Sequence, residues 1–446
     1  MTIYRTRVLD VPDDPFSGGV LRSSDDCALA VVDGVIAARG ALSDVRRGRP
    51  DDLVVDLRDG WLLPGLVDTH VHYPQVRVIG ALGMPLLEWL DRCALPEEQR
   101  LADTGYAQVV AEEFCQSLVA AGTTTALVFG SHFAGAVDAL FTVAERHGLR
   151  VTSGLVVSDR GLPEPLLTTP ERAHEESLAL ACRWHGNGRA RYVVTPRFSL
   201  SASEPMLEAC AAAVADVDGA WFTSHVNENL AEVAEVGRLF GGADHYTATY
   251  DDPGLLGERS VLAHNVHASD VELDLLAGRR TSVAHCPSSN SALGSGLFPL
   301  TRHVDHGVGV ALGSDVGAGT GFSLFKEGLQ AYFMQRLLGP DGLPLTPAHL
   351  LHLATAAGAR ALGLADRVGD LSVGKEFDAV CLRPVRGTEL DIGLRHTDSA
   401  EEALGKIFAL ASDADVADVW VGGQQIASGG FVRGVLPGGS GSPQSR

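Results

Sequence analysis

Lysine is nearly missing from this chain: only Lys326, Lys375 and Lys406 occur among 446 residues, so almost every cation is an arginine. Paired cysteines are missing as well. Cys27, Cys93, Cys115, Cys182, Cys210, Cys286 and Cys381 stand singly, their number is odd, and no CxxC occurs. A chain of this length needs no disulfide staples, so reduced thiols in a reducing compartment are expected. No apolar run approaches the ~20 residues of a spanning helix; stretches such as Val119 to Phe129 carry glycine and threonine. Residues 1–10 alternate polar and apolar without the apolar core of a secretion signal. These absences lead to the expectation of a soluble, cytoplasmic protein. Positive charge is also in deficit, with 35 Lys+Arg against 56 Asp+Glu and a formal net charge of -21. Such a surface repels phosphate backbones and anionic headgroups, which excludes non-specific nucleic-acid and membrane partners.

What is present is a globular composition, 45% hydrophobic, distributed in three patterns. Residues 1–64 hold short alternating segments (Ala28 to Val32, Gly34 to Arg39, Leu53 to Leu57) between Gly and Asp turns, the signature of strands. Phe377 to Arg383 and Val416 to Ile426 have the same character. One small β-sandwich domain assembled from both termini, residues 1–64 with 366–436, is therefore expected, followed by a disordered Gly/Ser/Pro tail over 437–446. Between them, residues 65–365 alternate eight short apolar strands with amphipathic helices. That is the arithmetic of an α/β fold, either a (β/α)8 TIM-like barrel or a doubly wound sheet. A barrel gathers its polar residues at the C-terminal ends of several strands.

They do gather there. Asp68-Thr69-His70-Val71-His72 closes the first strand, and side-chain alternation puts residues 68, 70 and 72 on one face. Two imidazoles so placed can grip one metal ion or simply hydrogen-bond each other. His225 closes the fifth strand with Glu228 three residues on, where a carboxylate can also complement a helix dipole. His264 closes the sixth strand, and Asp315 follows the eighth. His267, His285 and Cys286 lie nearby and read as structural. Singly these residues are weak signals, but four strand ends supplying three histidines and a carboxylate form an N/O set suited to zinc or iron. An open position on such a metal would hold a water whose pKa falls towards ~7. A carboxylate beside it that is not a ligand can serve as general base.

The run Pro64-Gly65-Leu66-Val67-Asp68-Thr69-His70-Val71-His72, with His225–Glu228, His264 and Asp315, resembles the amidohydrolase superfamily. His72-Tyr73-Pro74-Gln75, Leu86-Leu87-Glu88-Trp89-Leu90, Gly122-Thr123-Thr124-Thr125-Ala126, Thr195-Pro196-Arg197-Phe198 and His285-Cys286-Pro287-Ser288-Ser289-Asn290 narrow the likeness to its guanine deaminases. The resemblance implies one Zn2+ per chain on His70, His72, His225 and Asp315, with Glu228 as proton shuttle and His264 orienting the attacking water. It implies that Gln75 and Arg197 hydrogen-bond a nucleobase beside Phe198, with His72, His225, Glu228 and Asp315 around it. It further implies hydrolytic loss of the 2-amino group of guanine, in purine catabolism, by a homodimer. Members of the superfamily with two metals bridge them through a carboxylated lysine at the end of strand four. The strand ends here near Thr195-Pro196-Arg197 and no lysine is close in sequence, so a mononuclear site is expected. The alternative activities are deamination of another aminopurine, a pterin or an amino-triazine at the same site, hydrolysis of a cyclic amide, or a non-catalytic barrel.

Overall fold

The computed structural model describes residues 2–47, 51–429 and 431–432. Residues 437–446, expected as a disordered tail, lie outside the described residues. The central domain is a parallel barrel. Its strands are β1 (Leu66–His72), β2 (Thr123–Ser131), β3 (Arg150–Val157), β4 (Arg191–Pro196), β5 (Trp221–Val226), β6 (Ser260–His264), β7 (Ser282–His285) and β8 (Val310–Leu312). Each pairs in parallel with the next. The ring closes where the chain beyond β8 meets β1. The Asp315 amide donates to the His70 carbonyl, the His72 amide donates to the Val316 carbonyl, and Thr69 Oγ1 donates to the Leu312 carbonyl, each at 2.8 Å. Most of these strands are buried along their whole length, as strands of a parallel sheet covered on both faces are.

Five of the helices between the strands begin at side-chain caps. Asp103, Thr169, Ser203, Asn229 and Ser269 each accept a first-turn amide, satisfying one otherwise orphaned donor at each helix start. The segment between β1 and β2 is not anticipated by the alternation. A 3-10 turn over Tyr73–Val78 and a nearly continuous helical stretch from Leu86 to Ala102 form a satellite apolar cluster with Leu166, Phe198, Leu293 and Ala318.

The termini build one eight-stranded, mostly antiparallel sheet. In spatial order its strands are 431–432, 424–428, 416–421, 379–382, 53–64, 2–10, 22–32 and 35–40. Residues 416–426 form a hairpin, because Gly422 and Gly423 adopt positive φ (54° and 75°) and reverse the chain. The sheet folds back on itself. The amide of Ile36, in its last strand, donates to the Lys375 carbonyl, and the amide of Phe377 donates to the Gly34 carbonyl. Tyr4, Phe377 and Trp420 meet inside this fold. Strand 53–64 then runs through Gly65 straight into β1. A Cβ at Gly65 would sit 2.2 Å from Thr124 Oγ1, so the junction admits only glycine.

A buried ion pair holds the two domains together. Arg150, at the start of β3, donates to both carboxylate oxygens of Asp378 at 2.7 and 3.0 Å, and both side chains are almost fully buried. Asp378 also accepts from the Gly422 amide at 2.6 Å. Arg150→Met removes one partner and leaves the other charge desolvated, so chemical denaturation should show a loss of about 3–5 kcal/mol. A loss below 1 kcal/mol would show that the domains are held by other contacts.

Candidate active site

The C-terminal strand ends bring the expected residues together. His70 and His72 come from β1, His225 from β5, His264 from β6 and Asp315 from the loop after β8, and all are buried. His72 Nε2 lies 3.1 Å from His70 Nε2 and 3.2 Å from His225 Nε2. Asp315 Oδ1 lies 3.2 Å from both His70 Nε2 and His72 Nε2. His264 Nε2 is farther out, 3.8 Å from Asp315 Oδ2 and 3.5 Å from Glu228 Oε2. Suitable ligand atoms on His70, His225, His264 and Asp315 lie within 4.8 Å of one another. His72 has the tighter distances, and ligands about 2.05 Å from a tetrahedral zinc sit about 3.3 Å apart. The four contacts that His72 and Asp315 make have that spacing, and His264 faces Glu228.

Two ring tautomers are fixed from outside. His225 Nδ1 donates to the Arg197 carbonyl at 2.6 Å, and His264 Nδ1 donates to Asn290 Oδ1 at 3.0 Å. Each leaves a bare Nε2 lone pair turned inward, as a metal ligand or a water acceptor requires. Neutral imidazoles whose Nε2 atoms face one another cannot satisfy each other by hydrogen bonds alone, so the donor set fits a cation. Burial lowers His70 to about 3, and burial followed by the neighbouring imidazoles lowers His225 well below its usual value. Burial alone would raise the Asp315 carboxyl, but His70 and His72 hold it well below the usual range. Glu228 behaves oppositely: burial, then the Asp315 charge, raises it well above an ordinary carboxyl.

Backbone strain concentrates here. Four of the six described non-glycine residues with positive φ are Asn227 (48°), His264 (74°), Asn265 (50°) and Asp315 (47°), all at or just beyond strand ends of the site. Such conformations persist where surrounding structure holds them. Asn227 Nδ2 donates to Asn265 Oδ1 and to Glu272 Oε1 at 3.1 and 2.9 Å, tying the β5 and β6 loops together. Asp68 has the expected inward parity but does not reach the cluster. Its carboxylate accepts from Ser314 Oγ at 2.5 Å and from the Ser314 and His70 amides, and burial raises it to about 7. It fastens β1 to the loop that carries Asp315.

Substrate-side residues share one cavity with the cluster. It is lined by His72, Gln75, Arg197, Phe198, His225, Glu228, His264 and Asp315, under a cover of Leu86, Trp89 and Leu90. Two polar residues given no role from the sequence contact this set. Ser289 Oγ donates to Asp315 Oδ2 at 2.5 Å. Glu98 accepts from Gln75 Nε2 at 2.8 Å and from Arg197 Nη1 at 2.8 and 2.7 Å. Burial alone would raise the Glu98 carboxyl, but the Arg197 charge and the groups around it hold it well below the usual range. Of the residues read as structural, His267 donates to the Ser295 carbonyl and His285 stacks on Phe298. None of the three lysines approaches β4: Lys375 and Lys406 are engaged within residues 368–406, and Lys326 is exposed.

Residues 61–426 match the model of the amidohydrolase family. The chain belongs to that family. This amidohydrolase is 60% identical over 429 residues to a probable guanine deaminase of Deinococcus radiodurans, covering 95% of this chain and 98% of that one. It is 36% identical to the guanine deaminase of Escherichia coli, covering 94% and 95%. A solved E. coli guanine deaminase superposes with a TM-score of 0.92 at 34% identity, over 97% of this chain and all of that one. A further solved structure, "Guanine Deaminase from C. acetobutylicum with bound guanine in the active site", superposes with a TM-score of 0.87 at 26% identity, over 95% and 99%. The chain is thus an enzyme, a hydrolase of the (β/α)8 barrel type, whose likeness to guanine deaminases extends over nearly its full length. Among the described residues no helix is long and apolar enough to cross a membrane.

Proposed function

We propose that this amidohydrolase converts guanine and water to xanthine and ammonia, with one Zn2+ held by His70, His72, His225 and Asp315. The observation that carries the reading is the shared cavity: a convergent His/Asp cluster with Glu228 beside it, next to an amide and a guanidinium clamped by one buried carboxylate. Guanine is neutral and rimmed with donors and acceptors, which Gln75 and Arg197 are suited to read. The zinc would supply Lewis acidity that makes water nucleophilic near neutral pH.

The remaining work falls to the side chains. Glu228, raised by burial, takes the proton of the attacking water and delivers it to the ring nitrogen beside C2. His264, fixed by Asn290, presents Nε2 3.5 Å from Glu228 Oε2, where it can hold that water. Phe198 and Trp89 close the cavity against bulk water. As the C2–N bond breaks, the proton left on the new hydroxyl passes to the amino group, which leaves as ammonia, and the oxygen stays on C2 as the carbonyl. The same reading makes the enzyme a cytoplasmic homodimer of purine catabolism, supported by the family likeness.

Ammonia release measured over guanine, adenine, cytosine, 8-oxoguanine, pterins and amino-triazines tests the substrate, and guanine should give the highest kcat/KM. Release from another ring with none from guanine would move the assignment to that heterocycle. Metal analysis of the purified protein should return about one zinc per chain. Chelation should abolish turnover and added zinc restore it, whereas two metals per chain would overturn the mononuclear site.

A further inference from the structure

Glu98 takes no part in the chemistry just proposed, yet its carboxylate is the hub of the ring-binding end of the cavity. It is 2% exposed and receives Gln75 and Arg197 together. His132 Nε2 lies 3.4 Å from Glu98 Oε2 without hydrogen-bond geometry, and neither ring nitrogen of His132 has a hydrogen-bond partner. Resting on the guanine reading, we infer that Glu98 is a positioning residue that makes this end of the cavity present N–H donors only. It thereby selects an oxo-bearing aminoheterocycle over its all-amino counterpart.

An amide can ordinarily turn either its oxygen or its nitrogen to a ligand. Gln75 has no such choice. An ionised carboxylate only accepts, so the Gln75 nitrogen must face Glu98. Its oxygen is already taken by the Gly317 amide at 3.1 Å. Gly317 can approach because it lacks a side chain; a Cβ there would lie 2.4 Å from the main-chain carbonyl oxygen of Gln75. What Gln75 has left for a ligand is its second N–H. Arg197 has no acceptor to give. With Nη1 committed to Glu98, its Nε and Nη2 have no acceptor among the described residues. Glu98 also cancels the Arg197 charge, so the paired end suits a neutral ring. Guanine offers the oxygen at position 6 and bare ring nitrogens as acceptors. In 2,6-diaminopurine that oxygen is an amino group, and donor would face donor, leaving buried groups unpaired.

Steady-state kinetics of the zinc-loaded enzyme test this, with 2,6-diaminopurine followed as substrate or as competitive inhibitor. In Glu98→Gln the preference for guanine should fall roughly 10-fold or more. Most of the loss should be in KM rather than kcat, with zinc content unchanged. Glu98→Asp keeps the charge but withdraws it by one methylene, and should lose a smaller part of the preference. A preference equal to the wild type's in either folded variant overturns the inference. Absence of guanine turnover by the wild-type enzyme would instead count against the functional reading, so the two failures are distinguishable.

Discussion

Glu228→Gln should keep its zinc and lose about 10²–10⁴-fold in kcat for guanine, the usual range for removal of a general acid–base group. The substitution is isosteric. Glu228 lies outside the inner set of ligand distances, with Oε2 3.5 Å from His264 Nε2 and Oε1 3.4 Å from Ser295 Oγ, so both contacts can be retained by an amide. What an amide cannot do is accept a proton from water and release it to a ring nitrogen. Metal analysis and steady-state turnover on the same sample separate the roles: near-normal kcat removes Glu228 from the mechanism, and loss of zinc makes it a ligand.

Arg197→Ala is the second large effect. Two charge-assisted hydrogen bonds to Glu98 disappear, along with those available to the ring. At about 1.5–3 kcal/mol for each such bond, guanine kcat/KM should fall roughly 10²–10³-fold. Zinc should stay, because the group of Arg197 that orients His225 is its main-chain carbonyl, which alanine also has. The variant should also be less stable, since Glu98 is left buried with Gln75 and the poorly placed His132 as neighbours. Unchanged guanine kinetics with intact zinc would separate Arg197 from substrate binding.

How far these residues were legible from sequence follows from what sequence encodes. A strand end is marked by an apolar run stopping, so His70, His72, His225, His264 and Asp315 could each be placed at the mouth of a barrel from local pattern alone. Barrel topology, once assumed, makes such ends converge. Parity is coarser: it turns Asp68 inward correctly but cannot distinguish the metal cluster from Ser314, one layer beneath. Glu98 was invisible for a different reason. It sits in Leu95-Pro96-Glu97-Glu98-Gln99-Arg100, a stretch that looks like a solvated helix face, and nothing local tells it from Glu88, which is exposed. Its burial is decided by Gln75 and Arg197, 23 and 99 residues away. The terminal sheet was legible as strands, whereas its closure through Gly34, Lys375 and Phe377 depends on long-range pairing that alternation does not record.

The uninterrupted passage from strand 53–64 through Gly65 into β1 affects how variants of this protein should be interpreted. His70 and His72 hang on the continuation of a strand whose other neighbours are residues 2–10 and 379–382. Damage to the terminal sheet can therefore reach the proposed metal ligands along this covalent continuation, besides acting through the Arg150–Asp378 pair. In a mutational screen scored by metal retention, lesions in residues 2–64 or 379–382 will be mistaken for lost ligands unless folding is assayed in parallel. An affinity tag or fusion at the amino terminus likewise loads strand 2–10, which pairs with the strand that runs on into two of the proposed zinc ligands.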